Sequence, residues 1–108
     1  KVVVTLGPAT ESEFRHARDY FGTLPQKTVL IWNNGPGMTE LYTRLEKAGL
    51  SAGPDGKGRS VWMALGYLLA EQATRVIALH DCDILTYTRE LLDRLVHPVA
   101  SPDMDYQF

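Results

Sequence analysis

A chain of 108 residues, 44% apolar and 22% charged, has the size and balance of one globular domain, which excludes a disordered or fibrous protein. Eleven basic and thirteen acidic side chains leave a formal charge of -2, so no basic excess draws the chain to nucleic acid or an anionic membrane. One cysteine, Cys82, excludes an internal disulfide and fits a reducing, cytoplasmic setting. No apolar run nears the ~20 residues of a membrane span. Lys1 opens directly into a strand-like run, so no signal peptide is read there. With no initiator Met and a strand-like Asp105-Tyr106-Gln107-Phe108 at the other end, the sequence reads as an internal piece of a longer protein.

Taken in chain order, Val2 to Leu6 is a short apolar run suited to a strand buried on both faces. Thr10 with Glu13 three residues on forms a capping box. It opens a helix in which Phe14, Ala17 and Phe21 share one side and Gly22 is the stop. Thr28 to Trp32 is a second strand, and Asn33-Asn34-Gly35-Pro36-Gly37 a turn. Met38, Leu41, Tyr42, Leu45 and Ala48 then make an amphipathic stripe closed by Gly49. Ser51 to Gly58 is a glycine-rich loop carrying Asp55 and Lys57. The helix predicted over 59–71 is apolar around most of its circumference, which implies burial on more than one side. Arg75 to Leu79 is a third predicted strand, running into His80-Asp81-Cys82-Asp83. A last helix is predicted over 88–96, with Leu91, Leu92 and Leu95 on one side and Pro98 as its stop. Strands alternating with helices predict an α/β fold, a doubly wound sheet with ligands at the carboxyl ends of its strands. Gly7, Asn33, Asp81 and Asp83 would share that rim. No internal repeat or low-complexity segment interrupts the pattern.

Two motifs there carry chemistry. If strand geometry persists through Asp81-x-Asp83, both carboxylates point one way and Cys82 the other. Two carboxylates at a strand end suit a hard divalent cation held together with phosphate oxygens. The bland alternative is a pair of acids opening a polar turn. Gly56-Lys57-Gly58 offers close backbone approach, a mobile cation and the positive end of the following helix to an anion. Its bland alternative is a flexible loop with a solvated lysine. It is not a P-loop, because Ser51 stands where the first glycine belongs and Gly58 where Ser or Thr belongs. Gly7-Pro8-Ala9 lacks the G-x-G-x-x-G of dinucleotide folds, which argues against nicotinamide and flavin. His80 reads as a satisfied structural group and Cys82 as a buried thiol. Trp32 and Trp62 read as core. Tyr87 and Arg89 read as the surface of a helix start, within reach of a ligand.

Together the motifs say more. Gly56-Lys57-Gly58-Arg59-Ser60-Val61-Trp62 and then Ala78-Leu79-His80-Asp81-Cys82-Asp83-Ile84 stand with 22 residues between Gly58 and Asp81. This order resembles the donor-binding half of GT-A glycosyltransferases. More narrowly it is similar to the retaining glucosyl-3-phosphoglycerate and mannosyl-3-phosphoglycerate synthases, from about residue 28 onward and more loosely over the first strand. The resemblance implies a Rossmann-like GT-A nucleotide-sugar-binding sheet with flanking helices, residues 1–108 being one incomplete part of it. It implies a nucleotide-sugar donor (UDP-glucose or GDP-mannose), 3-phosphoglycerate as acceptor, and Mg²⁺ or Mn²⁺. Asp83 would ligate the metal, Asp81 would contact the ribose or the metal, and Lys57 the nucleotide between Gly56 and Gly58. Gly7 matches the place where such enzymes approach the nucleoside. No residue stands out as a catalytic nucleophile. The family's opening strand, its acceptor half and its later metal-ligating histidine are not in these residues, so the piece alone is expected to be inactive. Such synthases are often dimers, which leaves a homodimer open.

Three other readings compete. Another family-2-like glycosyltransferase would share the donor motifs. A haloacid-dehalogenase-type phosphatase also uses Asp-x-Asp, but Leu85 stands where Thr or Val is usual, and only 25 residues follow Asp83 for three further motifs. In a non-catalytic α/β interaction domain, Asp81 and Asp83 would only cap a turn.

Overall fold

The computed structural model describes residues Lys1–Ser101; the strand-like reading of Asp105 to Phe108 lies outside the described residues. These residues form an α/β arrangement of two strands and four helices. It divides into two compact units, one from Lys1 to Ala70 and one from Glu71 onward.

In the first unit, β1 (Val2–Leu6) and β2 (Thr28–Trp32) pair in parallel, from Val2 opposite Thr28 to Leu6 opposite Trp32. Between them runs α1 (Glu11–Phe21), which makes the segment a βαβ unit. Both strands are half-buried apart from Ile31, which is buried, so the expectation of burial on both faces is too strong. Among the described residues the sheet has these two strands alone, so each has a ladder partner on one side. Helix α1 packs on β2, where Phe14 stacks on Trp32 with ring centroids 4.7 Å apart and planes 12° from parallel.

The start of α1 matches its sequence signature. Thr10 Oγ1 accepts from the Glu13 N–H at 3.3 Å, and the Glu13 carboxylate accepts from the Thr10 N–H at 2.7 Å. Those bonds from Thr10, backbone first and hydroxyl second, hold the Glu13 carboxyl below its ordinary value of 4.5. A carboxylate favoured by the fold stabilises it fully above the ordinary value, and that contribution drains away as pH falls through the lowered one. Melting curves should therefore show Glu13→Gln costing stability at neutral pH, with the gap to wild type closing below pH 4.5. A gap independent of pH would contradict the reciprocal cap.

Helix α2 (Pro36–Lys47) follows the Asn33–Asn34 turn, with Gly35 as its N-cap and proline in its first turn. Its end is a Schellman motif. The Leu50 N–H donates to the Leu45 carbonyl and the Gly49 N–H to the Glu46 carbonyl, both at 2.9 Å. Gly49 takes φ of +74°, the left-handed conformation this motif requires. Gly49→Ala should cost about 1 kcal/mol in urea unfolding, through backbone strain, since nothing stands near the added methyl.

Helix α3 (Lys57–Ala70) packs on β1 and buries Ala64 and Leu68. It begins earlier than predicted, so Lys57 and Gly58 are its first residues and not the end of a loop. Only one side is buried. Trp62 is 50% exposed, which corrects its expected place in the core and the expected burial on several sides. Its position follows from helical spacing, because Ala64 and Leu68, four residues apart, define the side that meets the sheet.

In the second unit, 75–79 is not a strand, and among the described residues nothing pairs with it. An apolar run becomes a strand only through a ladder. Unpaired, this one leaves Leu79 61% exposed. Helix α4 (Arg89–Ala100) starts at Thr88, whose hydroxyl accepts from the Leu91 N–H at 3.3 Å. Pro98 lies inside α4 and does not stop it. A proline near a helix end removes a single donor, and the Ser101 N–H still closes on the His97 carbonyl at 2.9 Å.

Candidate functional site

At the carboxyl ends of β1 and β2 the chain makes an interlocked pair of turns. The Asn34 side chain grips the Ala9 peptide from both sides: its Nδ2 donates to the Ala9 carbonyl at 3.0 Å and its Oδ1 accepts from the Ala9 N–H at 2.9 Å. Trp32 Nε1 donates to the same carbonyl at 3.1 Å. Asn33, only 2% exposed, donates through its backbone and its side chain to the Leu6 carbonyl, at 3.1 and 3.0 Å. The Gly7-Pro8-Ala9 turn is thereby tied to the end of β2. A pair of asparagines directly after a strand was the sequence signal for this lock, which the turn reading did not use.

Gly7 and Pro8 line a cleft of about 390 Å³ together with Asp55, Gly56, Lys57 and Ser60. Three of the residues singled out in the sequence, Gly7, Gly56 and Lys57, thus share one concavity within the first unit. Gly58 lies instead in an adjoining cleft of about 420 Å³ with Arg59 and Trp62. Gly56 has φ of +150°, a conformation that strains any side chain, and it precedes the first turn of α3. Ser60 ties that turn down, its N–H and hydroxyl both donating to the Gly56 carbonyl, at 3.1 and 3.0 Å. Lys57 thus stands at the start of α3, where a helix offers its positive end.

Asp81 and Asp83 belong to the second unit, where both are exposed and Cys82–Asp83 form a turn. No strand runs into them, so their expected place at the end of a third strand is corrected, for the same want of a ladder partner. Cys82 is exposed, against its expected burial, because a turn has no inner face on which to hide a thiol. His80 is a satisfied group as expected. Its Nε2 is 2.8 Å from the Tyr87 hydroxyl, and the rings meet edge to face at 4.6 Å. This contact spans the base of the segment that carries both aspartates. Among the described residues no three His, Cys, Asp or Glu side chains gather into a metal cluster. Two exposed carboxylates separated by one residue are of the donor type that a hard cation takes alongside water and phosphate oxygens.

The chain is 46% identical over all 108 residues to the glucosyl-3-phosphoglycerate synthase of Persephonella marina. It is 30% identical over 109 aligned positions to the glucosyl-3-phosphoglycerate synthase of Methanococcoides burtonii. The resemblance to these synthases holds along the whole chain. Of their own lengths the chain spans about a quarter, 27% and 26%. No protein-family model and no solved structure matches it. Among the described residues no helix is long and apolar enough to cross a membrane.

Proposed function

We propose that the chain is part of the donor side of a metal-dependent GT-A glycosyltransferase, which moves glucose from a nucleotide sugar to 3-phosphoglycerate with retention in the cytoplasm. The observation that carries this reading is the 46% identity over the full chain to a glucosyl-3-phosphoglycerate synthase, and the second relative bears the same name. Those names favour glucose over mannose. The shared cleft of Gly7, Gly56 and Lys57 supports the reading independently, because a nucleotide diphosphate needs close backbone approach and a cation in one place.

In this reading Gly7 and Gly56 let the nucleotide lie against bare backbone, and Lys57 meets its phosphates at the start of α3. Asp83 and Asp81 are the residues that would hold Mg²⁺ or Mn²⁺. A bound metal supplies charge neutralisation for the departing nucleoside diphosphate. Lys57 acts on binding. In the full-length gene product, Lys57→Ala should raise the KM for the donor about 10- to 100-fold, the worth of one charge-assisted hydrogen bond, and leave kcat nearly unchanged.

The reading is tested by nucleoside-diphosphate release from UDP-glucose, GDP-glucose and GDP-mannose, with and without 3-phosphoglycerate. Release that requires both a glucose donor and 3-phosphoglycerate is the expected result. A folded protein that releases nothing from any donor would refute it.

A further inference from the structure

The first turn of α3 breaks a local rule. It holds two cations, Lys57 and Arg59, and no acidic residue, at the helix end where positive charge is disfavoured. The Arg59 side chain is moreover only 17% exposed, and its Nε is buried without a hydrogen-bond partner, as is the Tyr42 hydroxyl beneath it. Such an arrangement costs stability, and costs of this kind concentrate where a site needs a group held in place.

The contacts of Arg59 say what it holds. Its guanidinium carbon sits 4.4 Å from the centre of the Tyr42 ring on α2, and one terminal nitrogen meets the Asp55 carboxylate at 2.5 Å. Asp55 lies immediately before Gly56, the residue at φ of +150° that leads into Lys57. Arg59 therefore links α2 to the segment that delivers Lys57 to the cleft. Because Asp55 already answers the charge of Arg59, this side chain works as a strut. We infer that the Tyr42–Arg59–Asp55 linkage is a positioning device that sets Lys57 for the donor phosphates. The inference rests on the donor-site reading above.

The experiment measures the affinity of the full-length protein for UDP and GDP by titration calorimetry, together with donor KM and kcat. Arg59→Gln, which keeps a polar side chain but loses the charged fork, should weaken nucleotide binding and raise KM about tenfold, with kcat little changed. Asp55→Asn should do the same, and combining the two should add nothing. In a Lys57→Ala background, Arg59→Gln should have no further effect. A merely structural arginine would lower the melting temperature and leave these couplings absent. Should Arg59→Gln fail to fold, Asp55→Asn carries the test, since the Asp55 side chain is 55% exposed. Losses from Arg59→Gln and Lys57→Ala that add would overturn the inference, as would wild-type affinity in Arg59→Gln and Asp55→Asn. If Lys57→Ala itself binds nucleotide normally, the donor-site reading fails first and the inference falls with it.

Discussion

Replacing Asp83 by alanine in the full-length protein should abolish acceptor-dependent nucleoside-diphosphate release, by about a thousandfold in kcat. A ligand to the metal acts on charge that develops as the diphosphate departs, so its loss appears in kcat more than in KM. About 4 kcal/mol of lost charge stabilisation corresponds to that factor. Asp83 is well suited to the test because it is exposed on a turn, where substitutions usually change stability by less than about 0.5 kcal/mol. The expected variant is thus folded, melts like wild type and no longer responds to added Mg²⁺ or Mn²⁺. Activity within tenfold of wild type would show that Asp83 holds no catalytic metal.

The largest effect on stability is expected at a residue that touches no ligand. A methyl group on Gly35 would stand 2.6 Å from Trp32 Cε3 and 2.7 Å from Cδ2. That ring has little freedom to yield, with Phe14 stacked on one face and its Nε1 bonded to the Ala9 carbonyl. Gly35→Ala should therefore cost about 3 kcal/mol, the upper range for overpacking, in chemical unfolding followed by tryptophan fluorescence. Gly37→Ala, two residues on and with open space around it, is the control and should unfold like wild type within about 0.5 kcal/mol. Equal behaviour of the two variants would mean that the ring can swing away.

What the sequence revealed of this fold was local. Thr10 with Glu13 and Gly49 after an apolar stripe each carry their own structural instruction within a few residues, and each is realised, while the runs at 2–6 and 28–32 became strands by pairing with each other. The run at 75–79 was misread because its composition says only that it could pair; a strand depends on a neighbour elsewhere in the chain. Trp62 was misread for a related reason. An apolar residue on an apolar helix gives no hint of which side meets the sheet until Ala64 and Leu68 are seen against it. Of the residues that line the first cleft, glycine chemistry singles out Gly56 and Lys57, and Gly7 is marked by its place after the first strand as well as by resemblance. The Asn34 grip on Ala9 and the Arg59 contacts with Tyr42 were not, since each joins residues distant in sequence through side-chain atoms. Asp55 and Arg59 were the exception. Their spacing of four across a helix start was visible and went unused.

The lock between Asn34 and Ala9 has a consequence for the thermodynamics of ligand capture. Ala9 has both its N–H and its carbonyl engaged, so the turn after β1 already has its shape before anything arrives in the cleft. A ligand resting on Gly7 spends none of its affinity on freezing that turn, which makes this wall a preorganised surface. Its ordering entropy was settled during folding, when β2 came to lie beside β1.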